Sequence, residues 1–420
     1  MSIRILILIL ILFGIDLYVF QGIKLLIQHK SLSVQRAVSI SYWIVSFLCI
    51  TVVLLAQFTE WRSWPKLIRT YSFAVIVIIY LSKIFVTVFM LLDDIVRLFR
   101  LLAAWIAIRF GSSPVKPDGS SALQISRLNF LVKLGFIAGS IPFFSMIYGM
   151  MGGATRYQVR NIKLKSPRFP QAMNGLRIVQ LSDIHIGSFM SEEPLERAID
   201  LVLKQKPDLI LFTGDLVNDR HDEAVPYQHL LRKLQAPLGV YSVLGNHDYG
   251  DYYRWPSIES KAENLAKLKN FHGEVGWKLL LNDHLTVKHE GTEFNIVGVE
   301  NWSARRAFQH YGDMPKATRG INSENFTVLM SHDPSHWNAE VTKHYPYVDL
   351  TLSGHTHGFQ YGVEIPGFKW SPVQYMYKEW ADLYSSGAQN LYVNRGLGFI
   401  GYPGRVGILP EITVFELSNG

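Results

Sequence analysis

The sequence predicts two regions of different class: an all-α transmembrane helical domain and, after it, an α/β domain. Two observations carry this. Before about residue 155 the apolar residues come in runs long enough to cross a bilayer, and from about Gly175 onward they come in short runs separated by helical patterns. The composition agrees. Only 18% of the 420 residues are charged and 49% are hydrophobic, whereas soluble proteins average roughly 25% charged. This excludes a disordered or collagen-like chain and fits poorly with an all-soluble one. The single cysteine, Cys49, excludes an intramolecular disulfide framework and any CxxC metal site. A net charge of +7 suits nucleic acid, anionic headgroups or a phosphorylated substrate equally.

In the first region, residues 38–59 and 134–155 contain no Asp, Glu, Lys or Arg, and each spans roughly 30 Å of hydrocarbon as a helix. Residues 5–27 form a third span, interrupted by Asp16, with Lys24 placed to reach the interface. Residues 71–92 form a fourth, with Lys83 inside and Asp93 and Asp94 closing it; an intramembrane lysine is expected to face the bundle. A secretory signal competes for the first run, because Arg4 precedes it, but no A-x-A-like site follows. Arg97, Arg100 and Arg109 then lie among apolar residues, which suits an interfacial helix or an extension of the preceding one. Residues 111–121 read as a loop by their Gly, Pro and Ser content.

The transmembrane domain is therefore expected at 1–155, followed by a basic linker at 156–174 carrying Arg156, Arg160, Lys163, Lys165 and Arg168. The expected location is the cell membrane, multi-pass, with the bilayer itself as a partner. Lys and Arg divide equally between the two sides, and the basic cluster after the last span favours a cytoplasmic C-terminal domain.

The α/β domain is expected at 175–420. Runs at 176–181, 209–213, 240–244, 294–299, 327–330 and 349–352 read as buried strands, with helices at 194–205 and 257–270. Polar signatures follow these strands directly, where ligand sites of open α/β sheets are found. Asp183 and His185 lie in LSDIHIG and Asp215 in TGD. Asn246, His247 and Asp248 lie in GNHD, His332 in SHDP, and His355 and His357 in SGHTHG. Taken singly, an Asp or His after a strand is more often a cap or a satisfied core residue. The ordered set decides otherwise, because carboxylates and imidazoles of this number suit two divalent ions of the Mn, Fe or Zn type.

These motifs resemble those of the calcineurin-like metallophosphoesterases, whose ordered DxH, GD, GNHD, H and GHxH signature is complete over about residues 175–415. Details such as GVYSVLGNHDY and the late NRGLG look most similar to the membrane-associated bacterial branch. Phe359 departs from that branch, where a third Gly is common. The resemblance implies a four-layer α-β-β-α fold. It also implies that Asp183, His185 and His357 hold one metal, that Asn246, His332 and His355 hold the other, and that Asp215 bridges them, with Mn the expected ion and Fe or Zn the alternatives. Two such ions roughly 3.5–4 Å apart lower the pKa of a shared water and orient a phosphoryl group. His247 is then the non-ligand that, as an imidazolium, stabilises the transition state or protonates the leaving oxygen. Asp248 is expected to orient His247 or to cap a helix.

Substrate residues are less legible. Tyr249, Tyr252, Tyr253, Arg254 and Trp255 follow GNHD, and Phe368, Trp370, Tyr375, Tyr377 and Trp380 follow GHTHG; they suit an acyl chain or an interface, or simply pack lids. Arg305, Arg306 and Lys369 are available for a second phosphate, and Asn394 and Arg395 are expected to border the site. Four spans anchor the chain more firmly than a soluble substrate requires, so a lipid-linked phosphate ester or pyrophosphate is expected. The branch includes UDP-2,3-diacylglucosamine pyrophosphatases, which implies the same. A membrane-tethered nucleotide phosphodiesterase and a non-catalytic scaffold or sensor are the competing readings. No basic stripe with interleaved stacking aromatics is present, so nucleic acid is not expected.

Overall fold

The computed structural model describes residues 3–110 and 120–419; the loop expected at 111–121 falls almost wholly outside them. The chain divides into two units, Met1–Tyr148 and Gly149–Gly420.

The first unit is helical: α1 (Ile3–Ile27), α2 (Leu32–Phe58), α3 (Lys66–Arg109) and α4 (Ser120–Met150). All four are long and apolar enough to cross a membrane. The arginines after Asp94 do not form a separate interfacial helix. α3 continues unbroken for 44 residues, about 66 Å at 1.5 Å per residue, because Arg97 is paired along the same helix with Asp93 (3.1 Å) and Asp94 (2.6 Å). Asp16 is fully buried between the helices. Its carboxylate receives Lys83 Nζ at 2.5 Å, Tyr80 Oη at 2.9 Å and Ser46 Oγ at 3.1 Å. The lysine thus faces the bundle as expected. α3 and α4 cross closely at Gly139, where a Cβ would come within 2.7 Å of the Ser82 carbonyl oxygen, so only glycine fits.

The second unit has two six-stranded sheets. One has the order β1 (Gln158–Lys165), β14 (Glu411–Ser418), β2 (Arg177–Leu181), β3 (Leu209–Phe212), β4 (Val240–Ser242) and β5 (Lys278–Leu279). The other has the order β12 (Asp382–Ser386), β13 (Gln389–Val393), β9 (Leu350–Ser353), β8 (Thr327–Met330), β7 (Thr292–Gly298) and β6 (Asp283–His289). A hairpin of β10 (Val363–Ile365) and β11 (Phe368–Trp370) stands apart. Ile178, Leu209 and Leu211 of the first sheet pack against Phe294, Ile296, Val328 and Leu350 of the second. Helices α5 (Glu193–Lys204) and α7 (Ile258–Glu274), with the short α6 (Gln228–Leu231) between them, cover the outer face of the first sheet. Trp337 and Val341 cover the outer face of the other. The result is the expected α-β-β-α layering.

The sequence explains α5 simply. Leu195, Ala198, Ile199 and Val202 are buried at helical spacing, Pro194 sits in the first turn, and acids precede a terminal Lys204. The segment expected as a basic linker instead contains a strand. β1 runs parallel to β14 over eight residue pairs, and as an edge strand it keeps Lys163 and Lys165 exposed.

One buried group makes this unit's stability acid-sensitive. Burial pushes the pKa of His272 in α7 down to about 3, and its ring contacts Ser242 Oγ at 2.9 Å. The unfolded chain takes up a proton near pH 6.5 that the folded chain refuses. The stabilisation is therefore complete above about pH 6.5 and is lost as pH falls toward 3, at up to about 1.4 kcal/mol per pH unit. The thermal midpoint of the wild type is expected to fall over this window, and His272→Gln is expected to show a shallower decline.

Candidate metal centre

The carboxyl ends of β2, β3, β8 and β9 meet where the two sheets face each other, and the motif residues leave those ends at once. The turns are sharp. Asp183, His185, Asp215, His355 and His357 all adopt positive φ, between 45° and 71°, a conformation costly for residues with a Cβ and characteristic of functional sites. Two glycines allow the close approach: a Cβ on Gly245 would lie 2.2 Å from Asp215 Oδ1, and one on Gly354 would lie 2.1 Å from Asp183 Oδ2.

The seven residues expected as ligands come together as two groups sharing Asp215. His357 Nε2 lies 3.3 Å from Asp183 Oδ1, and His185 Nε2 lies 3.4 Å from Asp215 Oδ2. On the other side His332 Nε2 is 3.1 Å from Asp215 Oδ2 and 3.2 Å from Asn246 Oδ1, while His355 Nδ1 is 2.7 Å from Asn246 Oδ1. Asp183, His185 and His357 offer ligand atoms within 4.8 Å of one another, as do Asp215, His332 and His355.

The surroundings decide which atom of each group faces inward. His332 Nδ1 donates to the Thr213 carbonyl at 2.7 Å, so Nε2 presents a lone pair. His355 Nε2 meets Tyr377 Oη at 2.9 Å, and that hydroxyl donates to Asp333 Oδ2 at 3.2 Å; Nδ1 is then the lone pair. Asn246 Nδ2 donates to Tyr252 Oη at 2.9 Å, which turns Oδ1 toward the imidazoles. Lone pairs converge on carboxylate and amide oxygens, an arrangement that cations satisfy and neutral neighbours do not. Both nitrogens of His185, and Nε2 of His357, are buried without a hydrogen-bond partner. The residues therefore fit a pair of divalent ions.

Electrostatics point the same way. Burial opposes charge at His332, yet Asp215 pushes its pKa up to about 10, so Nε2 holds a proton against the carboxylate unless a cation takes that proton's place. Burial likewise opposes ionisation of Asp215, but His332 and His247 hold its carboxyl well below the usual carboxylate range.

Two expectations need correction. Asp248 does not orient His247. Its carboxylate accepts from the backbone amides of Asp215 (2.8 Å), Leu216 (2.9 Å), Val217 (3.2 Å) and Gly245 (2.9 Å), tying the TGD and GNHD loops together. His247 is oriented instead by the Asn218 carbonyl, 2.7 Å from Nδ1. Burial pushes its pKa down to about 4 while the Asp215 carboxylate raises it, and any further anion beside the ring favours its charged form.

Asn394 and Arg395 do not border the site as substrate residues. Arg395 is fully buried and paired with Glu411 (2.7 Å), Asp382 (2.7 Å) and Glu364 (2.8 Å). Asn394 bonds Thr413 and the amide of Gly396. Sequence reasoning also missed the supports Asn218, Asp333, Tyr377 and Arg405, whose Nη2 lies 3.2 Å from His357 Nδ1. Asp333 stood inside SHDP, Asn218 inside GDLVN and Tyr377 among the aromatics after GHTHG, but none of them was read as a support.

Asp248→Asn is expected to weaken the fold and the site together. An amide presents one acceptor oxygen where a carboxylate presents two, so at least one buried N–H loses its partner at about 1–3 kcal/mol. A lowered unfolding midpoint together with weakened metal retention would show it, and unchanged values of both would remove the clamp role.

A deeply buried, doubly lobed cluster of Asp, Asn and His at the strand ends of a two-sheet sandwich defines a dinuclear-type metallohydrolase site. The chain belongs to the calcineurin-like metallophosphoesterases, a family of phosphate-ester hydrolases. The profile "Calcineurin-like phosphoesterase" matches residues 176–359, and "Probable Calcineurin-like phosphoesterase, transmembrane domain" matches residues 2–154. The chain is 32% identical over 265 residues to "Uncharacterized metallophosphoesterase YkuE" of Bacillus subtilis, covering 61% of this chain and 84% of that one. It is 30% identical over 280 residues to "Transmembrane protein with metallophosphoesterase domain" of Danio rerio, and 30% identical over 308 residues to "Putative metallophosphoesterase F40B5.2" of Caenorhabditis elegans. These matches cover 65% and 69% of this chain but only 60% and 58% of those relatives. Four apolar helices and the matched transmembrane profile make it a membrane protein.

Proposed function

We propose that the protein hydrolyses a phosphate ester or pyrophosphate carried by a membrane lipid. The observation that carries this reading is a buried His and Asp cluster, with nitrogens of His185 and His357 left without partners, on the same chain as four apolar helices. Asp183, His185 and His357 would hold one divalent ion and Asn246, His332 and His355 the other, with Asp215 between them; Mn, Fe and Zn all suit this donor set. When bound, such ions activate water and neutralise phosphoryl charge. The chain's own part is positioning. His247, steadied through Asn218, would stand against the leaving oxygen, stabilising the charge that develops there or protonating it. Gly245 and Gly354 let the backbone approach closely, and Asp248 fixes the loops.

We place the protein as multi-pass in the cell membrane with its phosphoesterase unit on the cytoplasmic side. Arg156, Lys163 and Lys165, exposed soon after the last apolar helix, support that side.

The test is hydrolysis by the full chain with Mn, comparing a lipid pyrophosphate with bis(4-nitrophenyl) phosphate and a soluble nucleotide. Preferred turnover of the lipid is expected. Turnover of the soluble compounds alone would overturn the lipid reading.

A further inference from the structure

The hairpin of β10 and β11 is turned the unusual way. Its side chains alternate across two faces, and the cross-strand pairs Val363 with Trp370 and Ile365 with Phe368 lie on one of them. The other face carries Glu364 and Lys369, the hairpin strands' only charged residues. These are the ones that are tied down. Glu364 pairs with Arg395 at 2.8 Å and Arg160 at 2.9 Å, and Lys369 pairs with Asp382 at 2.8 Å while lying over the Trp380 ring. The ion pairs fix the orientation, so the apolar face is left outward: Ile365 is 58% exposed and Phe368 54% exposed. Tyr375 and Met376 extend it, at 78% and 50% exposed. An apolar patch held outward by half-buried ion pairs is covered by something in the working protein.

We infer that this face docks on the hydrocarbon boundary of a lipid bilayer. Phe, Trp, Tyr and Met without charge are the chemistry of an interfacial anchor. Only seven residues separate α4, at Met150, from β1, at Gln158, a tether of about 25 Å at full extension. A soluble partner would have no such tether. The patch also leads directly into the metal centre. The Met376 carbonyl accepts from Arg305 at 2.8 Å, and Tyr377 touches His355. Docking would therefore bring lipid to the edge of the cluster, a consequence that rests on the lipid-substrate reading, whereas the docking itself does not.

A single-cysteine protein makes the test direct. In a Cys49→Ala background, Phe368→Cys and, separately, Ile365→Cys are labelled with bimane, and the full chain is reconstituted in phosphatidylcholine vesicles with or without brominated acyl chains. Loss of most of the emission with brominated lipid, together with protection from aqueous iodide, is expected at both sites, while Ile258→Cys, exposed on α7, responds only to iodide. Quenching by iodide alone would show a face bare to water and overturn the docking. Insensitivity to both quenchers, or disulfide crosslinking between chains, would show a protein partner and overturn it equally. Lipid quenching without lipid turnover removes the substrate reading and leaves docking in place; lipid turnover without quenching does the reverse.

Discussion

Asp215→Ala is expected to lose metal and activity together. Its Oδ2 lies against His185 on one side and His332 on the other, so it is the residue common to both halves of the cluster. Its Oδ1 accepts the His247 backbone amide at 2.9 Å, which ties the non-ligand imidazole to the same carboxylate. Losing a support outside the ligand set typically costs 10–100-fold in metal affinity or activity; removing a shared ligand is expected to cost more than about 100-fold. Metal analysis after dialysis should fall from two ions per chain to one or none. Asp215→Asn separates charge from shape, because an amide oxygen can still accept from His247. It is expected to fold cooperatively and still lose metal. Full metal occupancy in either variant would remove Asp215 from its place between the ions.

The site was far more legible in the sequence than its supports, and the difference is one of distance along the chain. Asp183 and His185, or His355 and His357, announce themselves because each pair lies within four residues of a strand end. Asp248 was misread because the amides it holds at Asp215, Leu216 and Val217 lie more than thirty residues before it. Arg395 was misread for the same reason: in NRGLG it resembles an exposed guanidinium, while Glu364, Asp382 and Glu411, which neutralise it, come from three separate strands. Strands buried on both faces, such as β3 and β8, were found from their apolar runs. β1 was not, because an edge strand pairs on one side only and keeps charges outward. The hairpin of β10 and β11 escaped because its polarity is inverted: alternation marks two faces and says nothing about which is buried.

Asp16→Ala is expected to be the most destabilising single change in the helical unit. Lys83 Nζ sits 2.5 Å from Asp16 and 2.8 Å from Ser46 Oγ, with the Tyr42 ring 4.6 Å away. Removing the carboxylate strands an ammonium among apolar helices, and breaking a buried pair in this way typically costs about 3–5 kcal/mol. Thermal unfolding in detergent or nanodiscs should register it as a large loss. Asp16→Leu combined with Lys83→Leu is expected to recover most of that stability, since an apolar pair of similar volume owes no desolvation cost. If Asp16→Ala unfolds like the wild type, the pair is not a clamp. The reason to expect one is that these helices bury little of their surface on one another, and lipid tails solvate leucine as well as a neighbouring helix does. Apolar contact alone then sets register weakly. Asp16, Ser46 and Lys83 come from α1, α2 and α3 respectively, and Tyr80 of α3 adds a third contact to the carboxylate, so one buried carboxylate fixes three helices at a common level.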